Sequence, residues 1–255
     1  MNSYSRTTIL LIMVSVFMAG PLTGGGEMPL LGKDEGNSCV SCHSKLPADT
    51  FVGSNYLDWK NSIHSENGVT CDLCHGGSPK AKEKELAHKG VYKSGDPRSR
   101  VYFQNVPATC GGCHEEVYQE FVQSNHYRKL EKTGIGPNCS TCHGSRATWI
   151  ITPQNLKTTC INCHNERKGI EVKAPDEARL LLLALNQTGT IADLLGRLAG
   201  ESPDKEVLKR LESAESKVDR AKIVWHSFDI EAASQLLLEA NSSLGEVNKA
   251  LLASH

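Results

Sequence analysis

The ten cysteines of this 255-residue chain all belong to five copies of one pattern, Cys-x-x-Cys-His. The copies are Cys39, Cys42 and His43; Cys71, Cys74 and His75; Cys110, Cys113 and His114; Cys139, Cys142 and His143; and Cys160, Cys163 and His164. Two thiols three positions apart stand on one side of a helical turn, where both can form thioethers with the vinyl groups of one porphyrin. The histidine that follows then lies under the ring and gives its imidazole to the iron. This is the attachment pattern of c-type haem, so the expected cofactor is five haem c groups with their iron. Cysteine pairs also build zinc sites, but zinc takes four ligands from two half-sites, and five half-sites do not pair off. Neither zinc nor a disulfide framework requires a histidine after every second cysteine. No cysteine remains to act as a nucleophile.

Five of the ten histidines lie in the motifs, which leaves His64, His88, His126, His226 and His255 as candidates for the far side of each iron. Past residue 26 the sole methionine is Met28, so the composition favours bis-histidine, low-potential irons over histidine–methionine ones. His64 and His126 hold the same slot in a repeated stretch, which sets them apart from ordinary surface histidines. His88 stands in a lysine-rich segment, where a solvated histidine is the plain alternative. His226 adjoins Trp225 on a helix without a motif, where a structural role is the plain alternative. His255 is the last residue of the sequence, and chain ends fray. Four good distal candidates for five irons leave one iron in question: five-coordinate, or ligated by His255, Met28 or a neighbouring chain.

The elements that must position these groups are helical, giving a mainly α fold: a multihaem core with little strand and a C-terminal antiparallel helical region. Three regions are expected. Residues 1–26 read as a signal peptide, with Arg6 before the apolar run Ile9–Ala19 and small residues to Gly26. That run is shorter than the roughly 20 apolar residues of a membrane span. Membrane association therefore requires that the segment stay uncleaved. Residues 27–170 hold all five motifs, and residues 171–255 are helical without one. Within the motif region, Tyr56-x-x-Trp59-x-x-Ser62-x-His64 matches Tyr118-x-x-Phe121-x-x-Ser124-x-His126, a spacing that lays aromatic rings and imidazole along one side of a helix. A duplicated two-haem unit with a fifth haem appended at Cys160 accounts for the repeat.

In the C-terminal region the sequence predicts a first helical segment that begins at Pro175 and Asp176 and runs through Leu180–Leu185, a break at Gln187–Gly189, a second short stretch at Ile191–Leu198, then a helix capped by Ser202 with Pro203 at its first position. Stripes from Val207 to Trp225 and from Ile230 to Leu251 suit an antiparallel pair, with Asp229 capping the second; residues 227–229 could be a turn or continuous helix. Aromatics make up only 5% of the chain, so porphyrins must form much of the core between Cys39 and His164. The formal charge of −1 leaves out propionates, which would add on the order of −10 for five haems. Lys80, Lys82, Lys84, Lys89, Lys93, Arg98 and Arg100 form a basic stretch: a solvated face in the plain reading, or one that neutralises propionates or docks an acidic redox partner.

The five motifs, the Ser-x-His segments ahead of Cys-x-x-Cys-His-Gly, and Trp225-His226-Ser227-Phe228-Asp229 together resemble the bacterial multihaem c-type cytochromes. That broad group includes pentahaem and tetrahaem periplasmic carriers and the haem cores of hydroxylamine-oxidoreductase-like proteins. The resemblance implies distal-ligand roles for His64, His126 and His226. Ammonia-forming nitrite reductases of this circle carry Cys-x-x-Cys-Lys, which is absent here, and their quinol-oxidising membrane partners have a longer anchor than Ile9–Ala19. The function expected is electron transfer in a periplasmic, extracellular or outer-surface location. Expected partners are other redox proteins, either multihaem cytochromes or a membrane quinol-oxidising complex, and not nucleic acid. The alternatives are a haem enzyme acting on a small nitrogen or sulfur species at one five-coordinate iron, and a subunit of a redox complex or haem polymer.

Overall fold

Each Cys-x-x-Cys-His motif is either the start or the end of a short helix, and this decides how the first two thirds of the chain are built. The computed structural model describes residues 36–144, 151–200 and 204–253; the expected signal segment, Met28, Ser202, Pro203 and His255 lie outside the described residues. Helices α1 (Ser38–His43), α4 (Cys71–His75) and α9 (Cys139–His143) are motif turns in themselves. Asn37 caps α1 by accepting from the Cys39 amide at 3.0 Å, and Asn138 caps α9 in a reciprocal box with Thr141. The remaining motifs close helices α6 (Val106–Gly111) and α10 (Pro153–Ile161), with His114 leading into α7 (Glu115–Gln123). Gly76 and Gly144 follow two of the histidines at φ of 77° and 82°, a backbone conformation that a residue with a Cβ adopts only at a cost.

Between the motifs lie α2 (Phe51–Lys60), α3 (Ile63–Glu66), α5 (Lys84–Ala87) and α8 (Asn125–Thr133). The repeated stretch is not one helix but two. Ser62 and Ser124, both buried, stop the first helix and cap the second, accepting from Ser65 and Tyr127 amides at 3.3 and 3.0 Å. The serine hydroxyl captures an amide that a continuous helix would have given to a carbonyl. His64 and His126 are thereby placed at the same second position of α3 and α8.

In the C-terminal region the expected pair forms as α12 (Lys205–Val224) and α13 (Ile230–Ala253), and the two preceding segments merge into one helix, α11 (Ala174–Ala199), that packs with them as a bundle of three. The break expected at Gln187–Gly189 does not occur. Thr188 is buried and its hydroxyl accepts from Asn241 at 3.0 Å, which ties this turn of α11 to α13. A mid-helix glycine costs about 1 kcal/mol in propensity, and packing on both partners outweighs it. The first described turn of α12 is capped by Asp204, not Ser202. Trp225–Ser227 form a 3-10 turn that ends at Phe228 in the left-handed region, and Asp229 accepts from Ala232 to begin α13, so residues 227–229 are a turn. Ala199, Ala214, Ala221, Ala233 and Ala240 are fully buried along the seams, where only a methyl fits between backbones.

Burial divides the chain unevenly. Of the twenty buried apolar side chains among the described residues, sixteen lie in the bundle; Val40, Phe121, Leu130 and Leu156 are the four in residues 36–164. The same segment leaves Phe51, Ile63, Leu73, Leu86, Phe103, Ile135 and Ile161 exposed. No helix of the described residues is long and apolar enough to cross a membrane. Two expectations follow from this imbalance. Residues 36–164 produced without haem attachment should show no cooperative thermal transition by circular dichroism, whereas residues 174–253 alone should melt cooperatively. Ala240→Leu should destabilise the bundle by about 1–3 kcal/mol in denaturant titrations, because the seam has no room for the larger side chain.

Candidate functional site

The attachment cysteines form a row in chain order. Cys71 is half-buried beside Cys39, and loss of solvent, with the neighbouring thiol adding to it, pushes its pKa up to about 11. Cys74 stands in the same relation to Cys110 and Cys113, and Cys142 to Cys160. Cys110 and Cys139 lie close enough that each thiol perturbs the other's ionisation. Asn37 donates from its side-chain amide to Asp72 at 3.0 Å, and Asn138 to the Phe103 carbonyl at 2.7 Å, tying neighbouring motif turns together. The five motifs are thus consecutive neighbours in space as well as in sequence.

Eight histidines form four pairs, each made of one motif histidine and one from outside the motifs. His43 faces His88 with ring centroids 6.0 Å apart, His114 faces His64 at 6.2 Å, His164 faces His126 at 5.9 Å, and His143 faces His226 at 6.3 Å. A metal–imidazole bond is about 2 Å, so imidazoles on opposite sides of one metal ion have ring centroids roughly 6 Å apart. The gaps match that figure in all four cases. The planes within the pairs range from near-parallel, 12° for His143 and His226, to perpendicular, 90° for His126 and His164. His75 is the one motif histidine that no such pair includes, and His255 lies outside the described residues.

Neighbouring groups prepare the imidazoles for ligation. Nδ1 of His88 lies 2.8 Å from the Lys84 carbonyl and Nδ1 of His226 lies 2.9 Å from the Lys222 carbonyl. A carbonyl only accepts, so the proton sits on Nδ1 and the Nε2 lone pair is left free for a metal. Burial lowers the pKa values of His43, His126 and His226, and so favours the neutral form that ligates. The backbone carbonyl one helical turn back carries no sequence signal, because any residue supplies it.

The bundle reaches this region through its near end. Glu120 of α7 accepts from Arg220 of α12 at 2.6 Å, and Lys157 of α10 pairs with Asp176 of α11 at 2.7 Å. The Trp225–Phe228 turn then presents His226 to His143 and sets the Phe228 ring edge-on to His126, with centroids 4.2 Å apart. Phe228 holds φ of 61°, a conformation costing about 1–3 kcal/mol in a bulky residue, which places its ring beside the second imidazole pair. Sequence reading singled out His226 but not Phe228; a positive φ at an aromatic leaves no mark in the sequence.

The residues present fit haem on two counts. The paired gaps have the right width, and exposed apolar side chains flank the motifs. No cluster of three or more histidine, cysteine or acidic side chains suited to a bare metal ion occurs among the described residues.

Residues 95–165 match the family model described as cytochrome c7 and related cytochrome c, a stretch that holds three of the five motifs. The chain is 30% identical over 174 residues to a C-type polyheme cytochrome, OmcC, of Geobacter sulfurreducens, covering 56% of this chain and 21% of the relative. It is 39% identical over 76 residues to cytochrome c-552 of Haemophilus ducreyi, covering 30% of this chain and 14% of the relative. It is 24% identical over 153 residues to the multiheme cytochrome MtrA of Shewanella baltica, covering 58% of this chain and 37% of the relative. The chain thus spans well under half the length of these curated relatives. No solved structure matches it. Motifs, helical architecture and relatives agree: residues 95–165 form a cytochrome c7-like domain, and the chain is similar to bacterial multihaem c-type cytochromes.

Proposed function

We propose that the protein carries five haem c groups in a row and passes electrons along it, with four irons held between two imidazoles. The observation that supports this most directly is the set of four opposed histidine pairs, each with one partner from an attachment motif. A haem iron supplies one-electron chemistry when bound. The chain's own residues do the rest: His43, His114, His143 and His164 hold one side, His88, His64, His226 and His126 the other. Cys39, Cys42, Cys71, Cys74, Cys110, Cys113, Cys139, Cys142, Cys160 and Cys163 fix the rings in order. Two fixed imidazoles change little between ferrous and ferric states, which suits transfer more than bond-making. On this reading residues 27–170 are the haem-binding part and residues 171–255 a helical support that contributes one distal ligand.

Location and partners follow from the same chemistry. Haem c is attached outside the cytoplasmic membrane, and the segment 1–26 reads as an export signal, so the site of action is periplasmic or extracellular. The partners are redox proteins, the donor or acceptor docking where an end of the row approaches the surface.

Intact mass and the pyridine haemochrome spectrum should give five haems per chain; four or fewer would refute the count. Replacing His226 or His88 with Ala should each convert one low-spin haem to high-spin in the electron paramagnetic resonance spectrum, while His255→Ala should convert none. Phe228→Ala should alter the signal of the His126–His164 haem alone. Crossed imidazoles leave two iron d orbitals nearly degenerate and give a strongly anisotropic signal, which freedom of the His126 ring would change.

A further inference from the structure

The histidine pairing follows the internal repeat, and this isolates one motif. In the first unit His64, set by the Ser62 cap, faces the histidine two motifs further on, His114, and passes over His75. In the second unit His126, set by the Ser124 cap, faces His164 and passes over His143. Each unit therefore leaves the histidine of its second motif to find a partner elsewhere. His143 finds His226 on the C-terminal bundle. His75, at the matching position of the first unit, has no facing imidazole among the described residues, since the other eight described histidines are engaged with one another.

The described end of α13, at Ala253, leads away from the turn that holds His226. Helix α13 has 24 residues and so is about 36 Å long, starting at the turn that holds His226. Its last turns, at Ala250 and Leu251, pack with Leu195, Ala199 and Val207 at the other end of the bundle. The chain around His75 is largely exposed and carries more basic than acidic side chains, with Asp72, Glu83, Glu85 and Asp96 set among its lysines and arginines. Ser78 donates its amide to the Ala87 carbonyl at 3.0 Å, and a Cβ on Gly76 would lie 3.8 Å from Arg100 Cδ. The segment bearing Lys80, Lys82, Lys84, Lys89, Lys93 and Arg100 is thus folded against the turn that follows His75, and these side chains are exposed. A positive rim of this kind raises the local concentration of anions.

We propose that the haem held by Cys71, Cys74 and His75 is the one whose sixth position is open to solution, and that it is a binding site for a small inorganic anion. This rests on the haem reading above but is separable from it. The test uses the full-length protein as isolated, after its haem content has been counted. With five haems present, the ferric spectrum should show a high-spin signal integrating to one haem in five. Azide should convert that signal to low-spin with an affinity that falls several-fold as ionic strength rises. After reduction, carbon monoxide should bind one haem in five. Arg100→Gln should weaken azide binding and leave carbon monoxide stoichiometry unchanged. Five haems that are all low-spin and silent to both probes would overturn the proposal while leaving electron transfer intact. So would a high-spin signal that arises only on His255→Ala or only on dilution, since either assigns the sixth ligand to a histidine of this chain or of a second copy. Fewer than five haems would instead count against the reading on which it rests.

Discussion

Two imidazoles facing one another across roughly 6 Å are a costly arrangement for a polypeptide to hold by itself. A planar metal–porphyrin between them would supply a bond to each facing ring and apolar surface together. The rest of residues 36–164 is arranged around this: very short helices, four buried apolar side chains, and leucines, isoleucines and phenylalanines turned outward where a ring would cover them. A segment built in this way folds around its cofactor rather than before it.

The bundle works by different physics. Its helices close on alanine seams and on leucine and valine layers, with a hydrogen bond from Asn241 to the buried Thr188 hydroxyl as a polar tie. It can therefore act as a rigid mount, and what it mounts is the turn at Trp225–Phe228. One end of that turn offers His226 to His143 and the other sets Phe228 against His126, so two neighbouring imidazole pairs share a single support. The Glu120–Arg220 pair, partly buried on the glutamate side, keeps the mount in register with α7.

The repeat explains why such a support is needed. Each unit supplies a serine-capped histidine that reaches two motifs ahead, a scheme that serves the third and fifth motifs and leaves the second and fourth without a partner. His88, from the loop after the second motif, serves the first. An added helical region that serves the fourth is a simple way to complete one unit without altering the other.

Much of this was legible in the residues. The cofactor, the order of attachment and the set of spare histidines follow from covalent chemistry, which depends only on residue type and spacing. The repeat was visible too, although its serines proved to break the helix rather than ride along it. The continuous α11 was missed because buried contacts outweighed the local preference of Thr188 and Gly189 for a break. Which histidine faces which was decided only in three dimensions. His64 lies closer in sequence to His75 than to His114, yet faces His114, because the direction of a ring is set by caps and by packing between distant elements. Sequence alone determined that this protein would be organised around porphyrin; the tertiary structure decided how the imidazoles are shared, and that among the described residues His75 is the one left over.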